Sequence, residues 1–565
     1  MFSSLPKDAK NLLSWPWAEI EPYYKDLEQR TLTANNVDAW MADWSTIYSL
    51  VDEVHNRLNV ATSVDTADAA SKDLLNTFID TVQPQWKQAE QRLKRKLLAS
   101  GLCPRGCVQQ LKQMRVEADL FREQNLPLLA QEQKLRQTFS AITGSQTVQW
   151  DGRELTVTQL KPAYQEQDRA VRERAWHTAA QRQLQDRGKL NDLWKEYFTL
   201  RQQIAANAGL PSFREYRWRS LLRFDYTPRD CETFRDAIEQ AVVPAAAELH
   251  RKRAKKLGLP ALRPWDLSVD PDNQPALRPF KDMAELTGKT ARLFRDMDPA
   301  LAKHFDTMVA DRLLDLDNRA NKRPGGYCTM FAAARRPFIF ANAVGVHDDV
   351  QTLLHESGHA FHAFESDALP YAQQADAPME FAEVASMGME LLASPHLEAF
   401  YDRRDAARAL IEHLEGIILF WPYMAVVDGF QHWAYANPGP ALDPAQCDTE
   451  WLRLARRFEA GVDWSGLDDV RMTGWHRKLH IFIHPFYYVE YGLAQLGAVQ
   501  VWGKSLRDKS SALAAYRAAL ALGGTRPLPE LFAAAGARFA CDAATLRQAV
   551  ALISGQLAEL EPLAR

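Results

Sequence analysis

The chain has 565 residues, with 72 acidic and 68 basic side chains and a net charge of −4. That balance argues against a nucleic-acid partner, which would need a basic stripe, and six cysteines in so long a chain do not make a disulfide framework. No apolar run is expected to reach a membrane span, and the start, Met1 to Asp8, lacks the basic-then-apolar order of a signal peptide, so the expectation is a cytoplasmic protein away from membranes.

Residues 1 to about 145 read as long amphipathic helices. The run Trp86 to Leu98 keeps the helical period under a heavily charged face, which is expected to be solvated. Cys103 and Cys107 have no second cysteine pair beside them and read as ordinary thiols. The first break is Thr147 to Val157, two alternating segments joined by Asp151-Gly152, a strong short-range hairpin signal. Helices resume from Leu160 to Ala208. A turn follows at Gly209 to Tyr216, and a Thr227 or Asp230 cap opens another helix. Leu259 to Pro279 is Pro-rich and reads as a surface loop.

Lys322 to Phe331 sets Gly325 and Gly326 before an apolar strand, predicting a tight turn whose backbone approaches something closely. Arg336 to Asn342 reads as a second strand. The free edge of such a sheet could pair with an extended peptide, or the pair could be a plain structural hairpin. Gly325, Gly326 and Tyr327 are therefore candidates for substrate contact.

The next stretch carries His355-Glu356-Ser-Gly358-His359. On a helix, positions i and i+4 share a face, so both histidines can point at one metal ion, with Glu356 placed to take a proton from a bound water. Such a motif also arises by chance, so its context decides. Leu353, Leu354, Ala360, Phe361 and Phe364 supply an apolar face, and Asp348 and Asp349 lie where a cap and first-turn acid belong.

A catalytic zinc site usually takes three protein ligands and keeps one position open. A third histidine in the metzincin pattern would fall at position 365, which is Glu365. The expected third ligand is therefore a carboxylate on another helix. Pro378 to Leu392 is helical in pattern, and Glu380, Glu383, Met387 and Glu390 fall roughly on one face. Acids beside Phe381, Val384 and Leu391 are costly to bury unless they meet a cation.

These two stretches resemble the thimet oligopeptidase and oligoendopeptidase F family of zinc peptidases, especially the bacterial oligoendopeptidase F branch. The Gly-Gly-Tyr segment, the Pro-Phe-Ile strand, Asn342, the Trp150-Asp-Gly hairpin and Gly523-Gly524 to Gly536 extend the resemblance over roughly residues 145 to 560. It implies a mainly α, two-lobed helical zincin enclosing a deep channel, with a small sheet beside the metal helix and a minor hairpin near 147–157. It implies one zinc ion per chain, bound by His355, His359 and Glu383, with Glu390 holding a ligand histidine by its other ring nitrogen. The expected division is an N-terminal helical lobe, 1–225, and a zinc-peptidase domain, 226–565.

His476 to Gly492 resembles the family segment whose His and Tyr groups face the zinc. By register His480, Tyr487 and Tyr491 carry over as oxyanion donors, while Glu490 stands where Gln is usual. His476 and His484 read as loop or core histidines. The resemblance implies endopeptidase action on oligopeptides, with Glu356 as general base, in a monomer or small homo-oligomer. Two alternatives are a helical zincin exopeptidase, a carboxypeptidase or aminopeptidase, and a non-catalytic peptide-binding protein.

Overall fold

Apolar residues at helical spacing bury one face of α1, Val37–Val64: Trp40, Met41, Trp44, Ile47 and Val51 are all inside. The same logic repeats along the chain. The computed structural model describes residues 2–565 and is mainly helical, with one two-stranded and one three-stranded sheet.

The hairpin is formed by β1, Thr147–Trp150, and β2, Arg153–Thr156, in antiparallel register. Asp151 and Gly152 at its tip have φ of +48° and +79°, the signs a two-residue type I′ turn requires. The larger sheet contains β3, Leu314–Asp317, β4, Tyr327–Phe331, and β5, Arg336–Ala343, in the order β3-β5-β4. β3 runs parallel and β4 antiparallel to β5, so β4 keeps one free edge.

Two large apolar clusters organise the helices. One draws on Leu5 to Met114 and takes Tyr371 from much later in the chain. The other runs from Leu135 to Leu557 and includes residues on both sides of position 225. The metal-motif helix, α4, His347–Glu365, packs against α5, Met379–Ala393, and α5 packs in turn against α7, Tyr488–Ser505. The connection between α4 and α5 crosses to the first cluster, where Tyr371 Oη donates to Asp38 Oδ1 at 3.0 Å.

One expectation needs correction. The helix α6, Arg403–Ala436, is long and apolar enough to cross a membrane by length and composition, with a window of mean hydropathy 1.4. Its Trp421, Met424, Val427 and Phe430 are fully buried in the larger cluster, so core packing accounts for the composition.

Candidate metal centre and substrate channel

Helix α4 begins two residues earlier than a cap at Asp348 would start it. Val346 takes the capping position, and Asp349, inside the first turn, reaches back to accept from the N–H groups of Val344, Gly345 and Val346 at 2.8, 2.8 and 2.9 Å. An acid there also meets the positive end of the helix dipole. Two turns on, His355 and His359 share a face with ring centroids 5.0 Å apart. Gly358 between them allows α5 to come close: a Cβ there would lie 2.6 Å from the Ala385 carbonyl oxygen.

That approach places Glu383 of α5 opposite the histidines. Its Oε2 is 3.4 Å from His355 Nε2 and 3.8 Å from His359 Nε2, and one donor atom from each of the three lies within 4.8 Å of the others. His355 Nδ1 is 2.6 Å from Glu390 Oε1, which leaves Nε2 directed at Glu383. Ser386 Oγ donates to Glu383 Oε2 at 2.9 Å. Behind them, His413 Nε2 is 3.6 Å from the other oxygen of Glu390.

Electrostatics test whether a cation fits. Burial lowers the His355 imidazole, but the Glu383 and Glu390 carboxylates outweigh it and hold its pKa well above the ordinary value. Burial raises Glu383, and the two histidines with Ser386 reverse this and keep it low. Two carboxylates are thus pulling a proton onto His355, in a pocket whose other ring, His359, burial pushes down to about 4. Two imidazole nitrogens and a carboxylate oxygen suit a borderline cation such as zinc, which would take that proton's place. Glu356 stands beside them with its carboxyl pushed up to about 7, mainly by burial, and it accepts a hydrogen bond from the Cys328 N–H of β4.

Among the described residues one other trio could reach a single ion: Cys231, Asp428 and His432, all buried. Arg235 already ion-pairs with Asp428, so a cation stands where a metal's charge would. We read this trio as a core ion-pair cluster.

The first centre opens into a cavity of about 830 Å³ lined by His355, Glu356, His359, Glu383, Tyr487 and Tyr491 on one side. Tyr48 and Asp52 of α1 line it from the other apolar cluster. The free edge of β4 forms a third wall, from Gly326 to Met330. Gly325 turns the chain at φ +103°, and a Cβ on Gly326 would meet Thr352 Cγ2 at 3.3 Å, the close approach its sequence predicts. Gly326 and Tyr327 face the cavity, whereas Gly325 serves the turn.

Tyr487 and Tyr491 come to the centre, and Tyr487 Oη lies 3.5 Å from Glu383 Oε1. His480 does not line the cavity. Its ring packs on Tyr488 at 4.7 Å and on Tyr491 at 5.9 Å, and burial pushes its pKa down to about 3. His476 is a core residue bound to Asn191 at 2.8 Å. Nothing in the sequence pattern marks Tyr48, Asp52, Asp376 or His413 as site residues. Asp52 sits in an amphipathic helix, where an acid reads as solvated, yet burial with repulsion from Asp376 pushes it up to about 7.

A histidine pair facing a carboxylate from the next helix, walled into a cavity of a helical protein, places the chain among the helical peptidases. The match to known families is specific: peptidase family M3 covers residues 163–550, and the chain belongs to that family and is a peptidase. Among solved structures, one provisionally named oligoendopeptidase F is 26% identical, with a TM-score of 0.88 over 100% of both chains. PZ peptidase A, solved with an inhibitor, is 26% identical with a TM-score of 0.87 over 100% of both chains. A provisionally named oligoendopeptidase F from Bacillus anthracis shares the fold, at 23% identity and a TM-score of 0.84 over 97% of each chain. No curated protein matches the sequence.

Proposed function

We propose that the chain is a zinc-dependent endopeptidase acting on short oligopeptides inside the cavity. The observation that carries this reading is the convergence of His355, His359 and Glu383 within 4.8 Å, beside Glu356 and open to the cavity. Similarity at 26% identity to a structure provisionally named oligoendopeptidase F supports the substrate class. A zinc ion held by His355 Nε2, His359 Nε2 and Glu383 would supply Lewis acidity and lower the pKa of a water to about 7.

The rest is work for this chain's own groups. Glu356 takes the proton of the attacking water and returns it to the leaving amine. Its elevated pKa suits that exchange in the free site, and a cation beside it would draw the value down. Glu390, hydrogen-bonded to His355 Nδ1, fixes that ring's orientation. The Tyr487 and Tyr491 hydroxyls donate to the oxygen that gains charge as the carbonyl becomes tetrahedral. The β4 edge, whose residues Tyr327 to Met330 line the cavity, pairs with an extended peptide.

Peptides blocked at both termini separate an endopeptidase from an exopeptidase. We expect internal cleavage of blocked peptides, abolished by a chelator and restored by zinc. Glu356→Gln should lower turnover by about 10²–10⁴-fold while zinc content stays the same. Cleavage only of peptides with a free terminus would overturn the endopeptidase reading, and near-normal turnover in Glu356→Gln would overturn the general base.

A further inference from the structure

The segment carrying the two tyrosines is held from outside by three arginines. On α2, Arg187–Asn207, Arg201 donates to the Ile481 carbonyl at 3.3 Å and to that of Phe482. On α3, Phe213–Ser220, Arg217 Nε donates to the Pro485 carbonyl at 3.1 Å. Arg223, in the turn after α3, donates through Nη2 to the Phe486 carbonyl and to Glu490 Oε1, the latter at 2.6 Å.

Phe486 is the residue that Arg223 grips at the carbonyl, at the end of this held segment. Its φ is +64°, a left-handed conformation that a bulky side chain holds only when its surroundings impose it. Its ring is fully buried, and its N–H donates to Gln431 Oε1 of α6 at 2.6 Å. Both backbone polar groups of Phe486 are therefore fixed, one by Gln431 and one by Arg223. The next residue in the chain is Tyr487.

Arg223 also faces the metal-ligand helix. Its Nε is 3.7 Å from Glu380 Oε1, one turn before Glu383 on α5, and the same oxygen accepts from Tyr226 Oη at 2.5 Å. Glu490, its other partner, directly precedes Tyr491. One guanidinium thus stands between the helix that offers Glu383 and the helix that offers Tyr491. It is buried, stacks on Trp218 at 4.4 Å and lines no part of the cavity, so it acts only through its neighbours. Glu490, the acid found where the family resemblance expects Gln, supplies the acceptor oxygen that Arg223 grips.

We infer that Arg223, together with Gln431, is a positioning device: by clamping Phe486 and tying Glu490 to Glu380, it fixes the Tyr487 and Tyr491 hydroxyls relative to Glu383. This rests on the proposed role of those hydroxyls as oxyanion donors. If Arg223 only neutralised two buried acids, its loss would lower stability and leave turnover intact.

The test is a set of kinetic cycles on the zinc-loaded enzyme. Arg223→Lys and Gln431→Met are each made alone and in a Tyr487→Phe/Tyr491→Phe background. Alone, each should lower kcat by about 10²-fold, the scale of an ångström's misplacement, with KM and zinc content nearly unchanged. In the double-Phe background neither should lower kcat further, because nothing remains to be positioned. Losses that multiply in that background would overturn the inference, as would a lower Tm with normal kcat. Should Arg223→Lys not fold, Gln431→Met decides alone, since apart from a bond to the Val427 carbonyl of its own helix it releases only the Phe486 N–H. If the double-Phe variant keeps the parent kcat, the oxyanion reading fails and the clamp falls with it. If the variant loses kcat and the clamp losses still multiply, the clamp alone is refuted.

Discussion

Glu390 touches neither substrate nor the proposed metal position, yet it decides how His355 is presented. It accepts at 2.6 Å from one ring nitrogen and so commits the other to Glu383. Replacing it with Gln keeps the shape and removes the charge. Metal affinity should then fall by about 10–100-fold, read by chelator competition, with the fold unchanged. Unaltered affinity would mean that Glu390 serves His413 and not the centre. A second residue-scale expectation concerns Asp52, whose folded pKa of about 7 lies above the unfolded value near 3.9. Folding therefore favours its protonated form. The stability this contributes is present below about pH 4 and is lost as pH rises through 7. Asp52→Asn stays neutral throughout, so its Tm relative to the parent should climb over that window. Parallel Tm–pH curves would refute this.

At this scale the sequence was uneven. The histidine pair and Glu356 were legible because a helix turns a spacing of four into a shared face. Glu383 needed a resemblance, since several acids on Pro378 to Leu392 satisfied the same pattern. Tyr48, Asp52 and Asp376 were invisible, because only the cavity brings the α1 turn with Tyr48 and Asp52 to Asp376 and the histidine helix, far apart in the chain, where each looks like a routine polar position. His480 looked equivalent to its tyrosine neighbours in sequence, and only packing against Tyr488 separates it from the cavity wall.

Between elements, the decisive contact is that of α4 with α5. The two histidines and Glu383 meet because Gly358 leaves no side chain between the helices. In Gly358→Ala the new methyl group would sit 2.6 Å from the Ala385 carbonyl oxygen and from Ser386 Cα, both backbone atoms that cannot swing away. The helices must part. We expect a loss of about 1–3 kcal/mol in stability, the usual range for an overpacked contact, and weaker zinc retention in dialysis. Retention of both would show that the helices can separate without moving Glu383. Four of the five strands were legible, as in the Asp151-Gly152 hairpin, whereas β3, Leu314–Asp317, was not. Their order was not: nothing local says that β5 lies in the middle and leaves β4 with a free edge.

Over the whole molecule, the chemistry belongs to the larger apolar cluster and part of the cavity wall to the smaller one. Tyr48 and Asp52 face the proposed centre across a space of about 830 Å³. A space of that size admits an extended peptide and excludes a folded domain. Short unstructured peptides should therefore be cleaved while a folded protein of the same composition stays intact, followed by mass analysis of both in one reaction. Equal cleavage of the folded protein would mean that substrates reach the centre by another route.

The connection between α4 and α5 gives this arrangement a further consequence. Tyr371 lies in the only stretch that joins the two helices offering the three proposed ligands, and its ring is rooted in the N-terminal cluster beside Asp38. The catalytic half is therefore not a detachable module. A chain cut before residue 115 would strand Tyr371 in water and free the tether that spaces α4 from α5. An engineer who wishes to exchange the N-terminal helices for a new specificity must graft a socket for that tyrosine along with the new wall.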